Sequence, residues 1–112
     1  MNCKVKSRIW IELDGKEFLG EGKVQLLKAI DETGSLSKAA RSIGISYKKA
    51  WHLIDSVNNT AKRPVTLNSI GGKGGGGTEL TAYGRSLVNS FEEMNRECWH
   101  FLDVQLEKIK SL

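Results

Sequence analysis

A chain of 112 residues with 39% hydrophobic and 27% charged residues has the size and balance of one small globular domain, with no room for a cofactor domain beside a second function. The formal charge of +4 and the isoelectric point near 9.2 favour an acidic partner. Cys3 and Cys98 lie far apart and form no C-x-x-C pair, which argues against a secreted disulfide scaffold and for a reduced, cytoplasmic setting; no apolar run reaches membrane-spanning length.

From the N-terminus, Val5, Ile9, Ile11 and Leu13 alternate with Lys6, Arg8 and Glu12, the two-residue period of a half-buried strand. Asp14-Gly15 then supplies a two-residue turn before "KEFLG", so a β-hairpin is predicted over about residues 3–19. "EGKVQLLKAIDETG" carries a helical stripe of Leu26, Leu27 and Ile30 with Gly34 as its stop. "SLSKAARSIG" repeats the pattern with Leu36, Ala40 and Ile43, capped by Ser35 or Ser37 and ended by Gly44. A third helix starts at the capping residue Ser46 and runs through "YKKAWHLIDSVNN". After Pro64, "VTLNSI" and "TELT" read as two strands of a second hairpin over about 65–81, and a proline-free helical pattern fills about 82–110.

On a wheel advancing roughly 100° per residue, Leu53, Ile54 and Val57 fall within about 60° of Ala50, a narrow apolar face directed at the core. Lys48, His52, Asp55 and Asn59 occupy the opposite side, with Tyr47 and Trp51 on one flank and Lys49 on the other. Any solvated surface helix shows such a face, and Trp51 reads equally as a packing residue between helices. The context is more specific. Two short helices meet across "GIS", with Ala39 and Ala40 where close approach is needed, which is helix-turn-helix grammar over about 36–60. In that motif the second helix enters the major groove, where all four base pairs are distinguishable.

Charge placement agrees with this reading. Lys38, Arg41, Lys48, Lys49, Lys62 and Arg63 stand against Asp55 alone between residues 38 and 63, a local charge of +5 that exceeds the net charge of the whole chain. Cations supply affinity through counterion release, while amide, hydroxyl and imidazole groups address base edges.

Six of the seven residues from Gly71 to Gly77 are glycine, interrupted by Lys73. A phosphate-binding P-loop would need glycine at Leu67 and a hydroxyl at Gly74, so that motif fails. Gly72, Gly74 and Gly77 match G-x-G-x-x-G only trivially, and no βαβ helix start follows. The flanking segments read as one strand pair, which argues against a linker. Two readings remain: a hairpin tip bare enough to approach a sugar-phosphate backbone, with Lys73 as its charge, or a loop that touches nothing.

A helix-turn-helix followed by a hairpin is a winged helix, so the expected fold is mainly α with small β: one winged helix-turn-helix domain over 1–112, with an N-terminal hairpin and a long C-terminal dimerisation helix. "LLKAIDETGSLSKAARSIGISYKKAWHLIDSVNN" and "GGKGGGGTELTAYGRSL", with "SYKKAW", the glycine-rich wing and "LT-x-x-G", closely resemble the N-terminal DNA-binding domain of the ModE family of molybdate-responsive regulators, relatives of the LysR-type winged helices. The resemblance covers roughly residues 20–90. It implies a homodimer on palindromic double-stranded DNA, with Ser46, Tyr47, Lys48, Lys49, Trp51 and His52 on the recognition helix and Lys73 near the adjacent backbone. Family members carry a molybdate-binding region after the long helix, whereas this chain stops at Leu112, so a standalone unit is expected and molybdate is not expected to bind it.

The long helix has apolar residues at Leu87, Phe91, Met94, Cys98 and Phe101, and again at Trp99, Leu102, Leu106 and Ile109, more than packing on one small domain requires. Part of Phe91, Met94, Cys98, Trp99, Leu102, Leu106 and Ile109 is expected to meet a second copy; the opposing reading is that the helix wraps its own core. Cys98 and His100 point apart on a helix and lack further ligands, and His52 has no nucleophile with an orienting acid. Neither a metal, a cofactor nor an enzymatic activity is therefore expected. The competing function is a winged-helix adaptor that binds protein instead of DNA.

Overall fold

The computed structural model describes residues 2–69 and 77–112. Asp14 (φ 52°) and Gly15 (φ 79°) both take left-handed backbone, the pairing that a tight hairpin turn demands, and the chain reverses there between β1 (Trp10–Leu13) and β2 (Lys16–Gly20). The register slips between Ile11/Leu19 and Glu12/Glu17, so Phe18 is an extra residue in β2. That bulge lets the consecutive residues Phe18 and Leu19 both be buried, which regular strand alternation forbids.

Helix α1 (Glu21–Thr33) follows without a loop and ends at Gly34, whose φ of 69° lets its N–H return to the Ile30 carbonyl. Helix α2 (Leu36–Ser42) is capped by Ser35, which accepts from Lys38 N at 3.1 Å. A connection through left-handed Gly44 (φ 75°) leads to α3 (Tyr47–Thr60), capped by Ser46 with a bond of 3.1 Å from Lys49 N. Strands β3 (Thr66–Asn68) and β4 (Thr78–Leu80) pair antiparallel, Leu67 opposite Glu79, and α4 (Ala82–Lys110) completes the chain. The described residues thus form a mainly helical protein with a small β component.

Leu19, Leu26, Leu27, Ile30, Val57 and Val65 are the largest fully enclosed side chains, so the core sits between β2, α1, α3 and the start of β3. Each such side chain contributes about 1.5–3 kcal/mol. Ala39, Ala40 and Ala50 are enclosed where α2 meets its neighbours, and their small size permits the close approach. The ion pairs Lys28–Glu92 (2.7 Å) and Arg85–Asp31 (2.8 Å) brace α1 against α4.

One expectation needs correction. Strand pairing begins only at Trp10; residues 2–9 alternate exposed and half-buried positions without a ladder partner. Ser7 Oγ lies 3.8 Å from Cys98 Sγ, and Cys3 to Lys6 line a cleft with Trp99, Leu106 and Lys110, so the alternation records a segment laid along α4. The same segment covers one side of α4, so only part of its apolar set stays open to solvent, as expected. Phe91 and Leu106 are buried and Cys98 and Leu102 half-buried, whereas Met94, Trp99, Phe101 and Ile109 stay exposed, and Val104 beside them is exposed too.

Candidate nucleic-acid interface

Helix α3 is divided sharply along its length. Ala50, Ile54 and Val57 are buried and Leu53 half-buried, fixing which side of the helix faces the core. That choice leaves Ser46, Tyr47, Lys48, Lys49, Trp51 and His52 exposed together around the cap and the first two turns. Tyr47 (57% exposed) borders a recess with Ser37, Ala40, Arg41 and Ile45, bringing the Arg41 cation of α2 beside the start of α3. Arg41 and Lys38 are exposed, so α2 adds two cations at this end.

Trp51 is 47% exposed and meets the edge of His52 with ring centroids 5.3 Å apart. It lines a cleft with Ile54, Asp55 and Asn58 on one side and Thr66 and Asn68 on the other, which places it between α3 and the second hairpin and not at a buried helix junction. Asp55 accepts from Asn59 Nδ2 (3.2 Å), one turn along the outer face.

The +5 segment does not form one surface. Lys62 and Arg63 follow the C-terminal end of α3, about 20 Å along the helix axis from Tyr47 at 1.5 Å per residue. Arg63 stacks its guanidinium over the Tyr83 ring at 5.1 Å, at the start of α4. Four cations, Lys38, Arg41, Lys48 and Lys49, remain at the exposed end of α3. Spacing along the sequence cannot distinguish the two groups, because a helix separates residues that a simple count pools.

The hairpin root is tightly bonded. Ser69 N donates to the Gly77 carbonyl and Gly77 N to Ser69 Oγ, both at 2.8 Å, while Thr78 Oγ1 donates to Asn68 Oδ1 at 3.1 Å. Thr78 N also reaches the Gly34 carbonyl (3.0 Å), tying β4 to the end of α1. Lys73 and the glycines from Gly71 to Gly76 lie outside the described residues.

The pattern "LT-x-x-G" has a physical role that only the fold reveals. Thr81 caps α4 by accepting from Gly84 N (2.9 Å) and donates to the Pro64 carbonyl (2.8 Å), while Thr81 N bonds the Val65 carbonyl (2.9 Å). Gly84 packs against that same Val65, leaving no space for a side chain. The pattern fixes α4 onto the hairpin root and could have been recognised only as a cap.

Among the described residues no three His, Cys, Asp or Glu side chains gather as a metal site, and no helix is long and apolar enough to cross a membrane. No protein-family model matches the chain. It is 36% identical over 106 residues to the molybdenum transport protein ModE of Azotobacter vinelandii, covering 95% of this chain and 39% of that protein. It is 34% identical over 105 residues to the transcriptional regulator ModE of Haemophilus influenzae, covering 91% and 41%. With the DNA-binding transcriptional dual regulator ModE of Escherichia coli K12 it shares 39% identity over 82 residues, 73% of this chain and 31% of that protein. The chain therefore spans about two fifths or less of the length of these relatives, and the likeness extends beyond residues 20–90 to take in parts of the N-terminal hairpin and the long helix. With its cap, its cationic helix end and these relatives taken together, the chain belongs to the ModE family of transcriptional regulators.

Proposed function

We propose that this chain is a cytoplasmic, sequence-specific double-stranded-DNA-binding regulator acting as a homodimer, a single winged helix-turn-helix domain in which α2 and α3 are the helix pair and β3–β4 the wing. Helix α3 enters the major groove, where Lys48 and His52 address base edges and Ser46, Tyr47, Lys49 and Trp51 complete the contact surface. The glycine-rich wing, with Lys73, runs along the neighbouring backbone. The reading assigns neither a molybdate site nor a catalytic step to this chain.

The observation that carries the proposal is the division of α3: its apolar side is buried, and all six of the named residues around its N-terminal half are exposed beside Lys38 and Arg41. Lysine at a bidentate base contact provides about 1–3 kcal/mol of discrimination, whereas a phosphate contact provides affinity without preference. Binding to genomic fragments retained by the protein tests this division. Lys48→Ala or His52→Ala should change the ranking of sequences, and Lys73→Ala should weaken all of them alike, reducing the log–log salt slope by about 1. Equal losses on every sequence for all three variants would remove the assigned roles. No retention of DNA even at low salt would transfer the function to protein binding.

A further inference from the structure

Asn58 stands in the last full turn of α3, among residues given no role in the DNA contact. Asparagine is a poor helix former, so an interior position calls for a compensating interaction. Its carboxamide leaves the helix for the second hairpin. Oδ1 accepts from Val65 N at 2.7 Å and Thr66 N at 3.3 Å, and Nδ2 donates to Thr66 Oγ1 at 3.0 Å. Two backbone donors on one side fix the orientation of the amide, since the reversed form would set N–H against N–H.

Among the described residues, every hydrogen bond between α3 and the segment 64–69 passes through Asn58. Asn58 also lines an open cleft there with Trp51, Ile54, Asp55, Thr66 and Asn68. The other strand is held independently, by Thr78 N on the Gly34 carbonyl. The root is fixed separately to α4 through Thr81, which leaves Asn58 as the hydrogen-bonded link that holds the hairpin to α3. Because both lone pairs of Oδ1 are engaged internally, Asn58 has little left with which to read a base.

We infer that Asn58 is a positioning residue that locks the wing to the recognition helix, so that both meet the duplex as one rigid unit. The inference rests on the DNA-binding reading above and adds to it the residue that couples its two contact elements. Releasing the wing should free phosphates that it would otherwise neutralise while leaving the base preferences of α3 intact. Loss of stability alone would lower the active fraction without changing how affinity depends on salt.

The test uses the full chain and a short duplex recovered from a random pool by the native protein, with thermal melts confirming that each variant is folded at the assay temperature. Asn58→Ala should bind about tenfold more weakly at moderate salt, with the log–log salt slope shallower by about 0.9 for each phosphate that is no longer neutralised, and with the ranking of duplexes unchanged. Asn58→Asp retains the acceptor for both backbone N–H groups and should keep the native slope. A native slope in Asn58→Ala, a changed ranking, or an equally shallow slope in Asn58→Asp would overturn the inference. If the alanine variant does not fold, the slope of Asn58→Asp decides alone, native supporting and shallow refuting. Failure of the native protein to retain any duplex is a different result, and it removes the DNA-binding reading together with this inference.

Discussion

At the scale of single residues, Gly84 shows how a family signature turns into a packing constraint. A Cβ built there would overlap the Val65 carbonyl oxygen and crowd Val65 and Leu80 side-chain carbons. The obstructing atom is backbone, and it already accepts a hydrogen bond from Thr81 N, so it cannot retreat without breaking it. Gly84→Ala should therefore destabilise by about 1–3 kcal/mol, the usual range for overpacking, measured by chemical denaturation. Gly22, with open space around it, is the control, and alanine there should stabilise or be neutral because it lies within α1. The need for glycine at 84 was not legible in the sequence, because its cause lies 19 residues away in the chain. The turn at Asp14-Gly15 was legible, because both residues required for the left-handed pair are adjacent.

Between elements, helices were easy to read and their attachments were not. Periodicity and caps locate α1, α2, α3 and α4 because burial on one side repeats locally; the bulge at Phe18 and the docking of residues 2–9 on α4 depend on partners remote in sequence. The same is true of the brace between α1 and α4. Arg85 donates two hydrogen bonds to Asp31, at 2.8 and 3.3 Å, and this bonding holds the Asp31 carboxyl below its ordinary value of 3.8. A carboxylate with a lowered folded pKa stabilises the fold above the ordinary value and loses that contribution as pH falls through the lowered one. Asp31→Asn should therefore melt lower than the native protein at neutral pH, by only about 2 °C because the pair is half-exposed and screened by salt. The gap should close as pH falls below 3.8. A gap that persists in acid would mean that packing, not the ion pair, is responsible.

For the molecule as a whole, the decisive feature is what α4 leaves uncovered. The chain extends 62 Å in its longest dimension against 31 and 22 Å in the others, and the N-terminal segment covers only one side of the helix. Met94 (51% exposed), Phe101 (61%) and Val104 (48%) project from another side, Phe101 two helical turns beyond Met94. A single large apolar side chain in water needs no explanation, but an aligned set on a long helix fits a second copy meeting it across a two-fold axis. Such symmetry would present two α3 helices to half-sites one DNA turn, about 34–36 Å, apart or a multiple of it. If so, the melting temperature of the native protein should rise with protein concentration, since association stabilises the folded chain by mass action. Phe101→Asp, which replaces a side chain outside the buried core, should leave a folded monomer whose melting no longer depends on concentration. Its affinity for a two-half-site duplex should fall about 100-fold as bivalency disappears, while binding to a single half-site is unchanged. Sedimentation equilibrium separates the outcomes directly. A native monomer, or a Phe101→Asp variant that remains dimeric, would place the association surface elsewhere and break the argued link between the exposed side of α4 and the spacing of the two recognition helices.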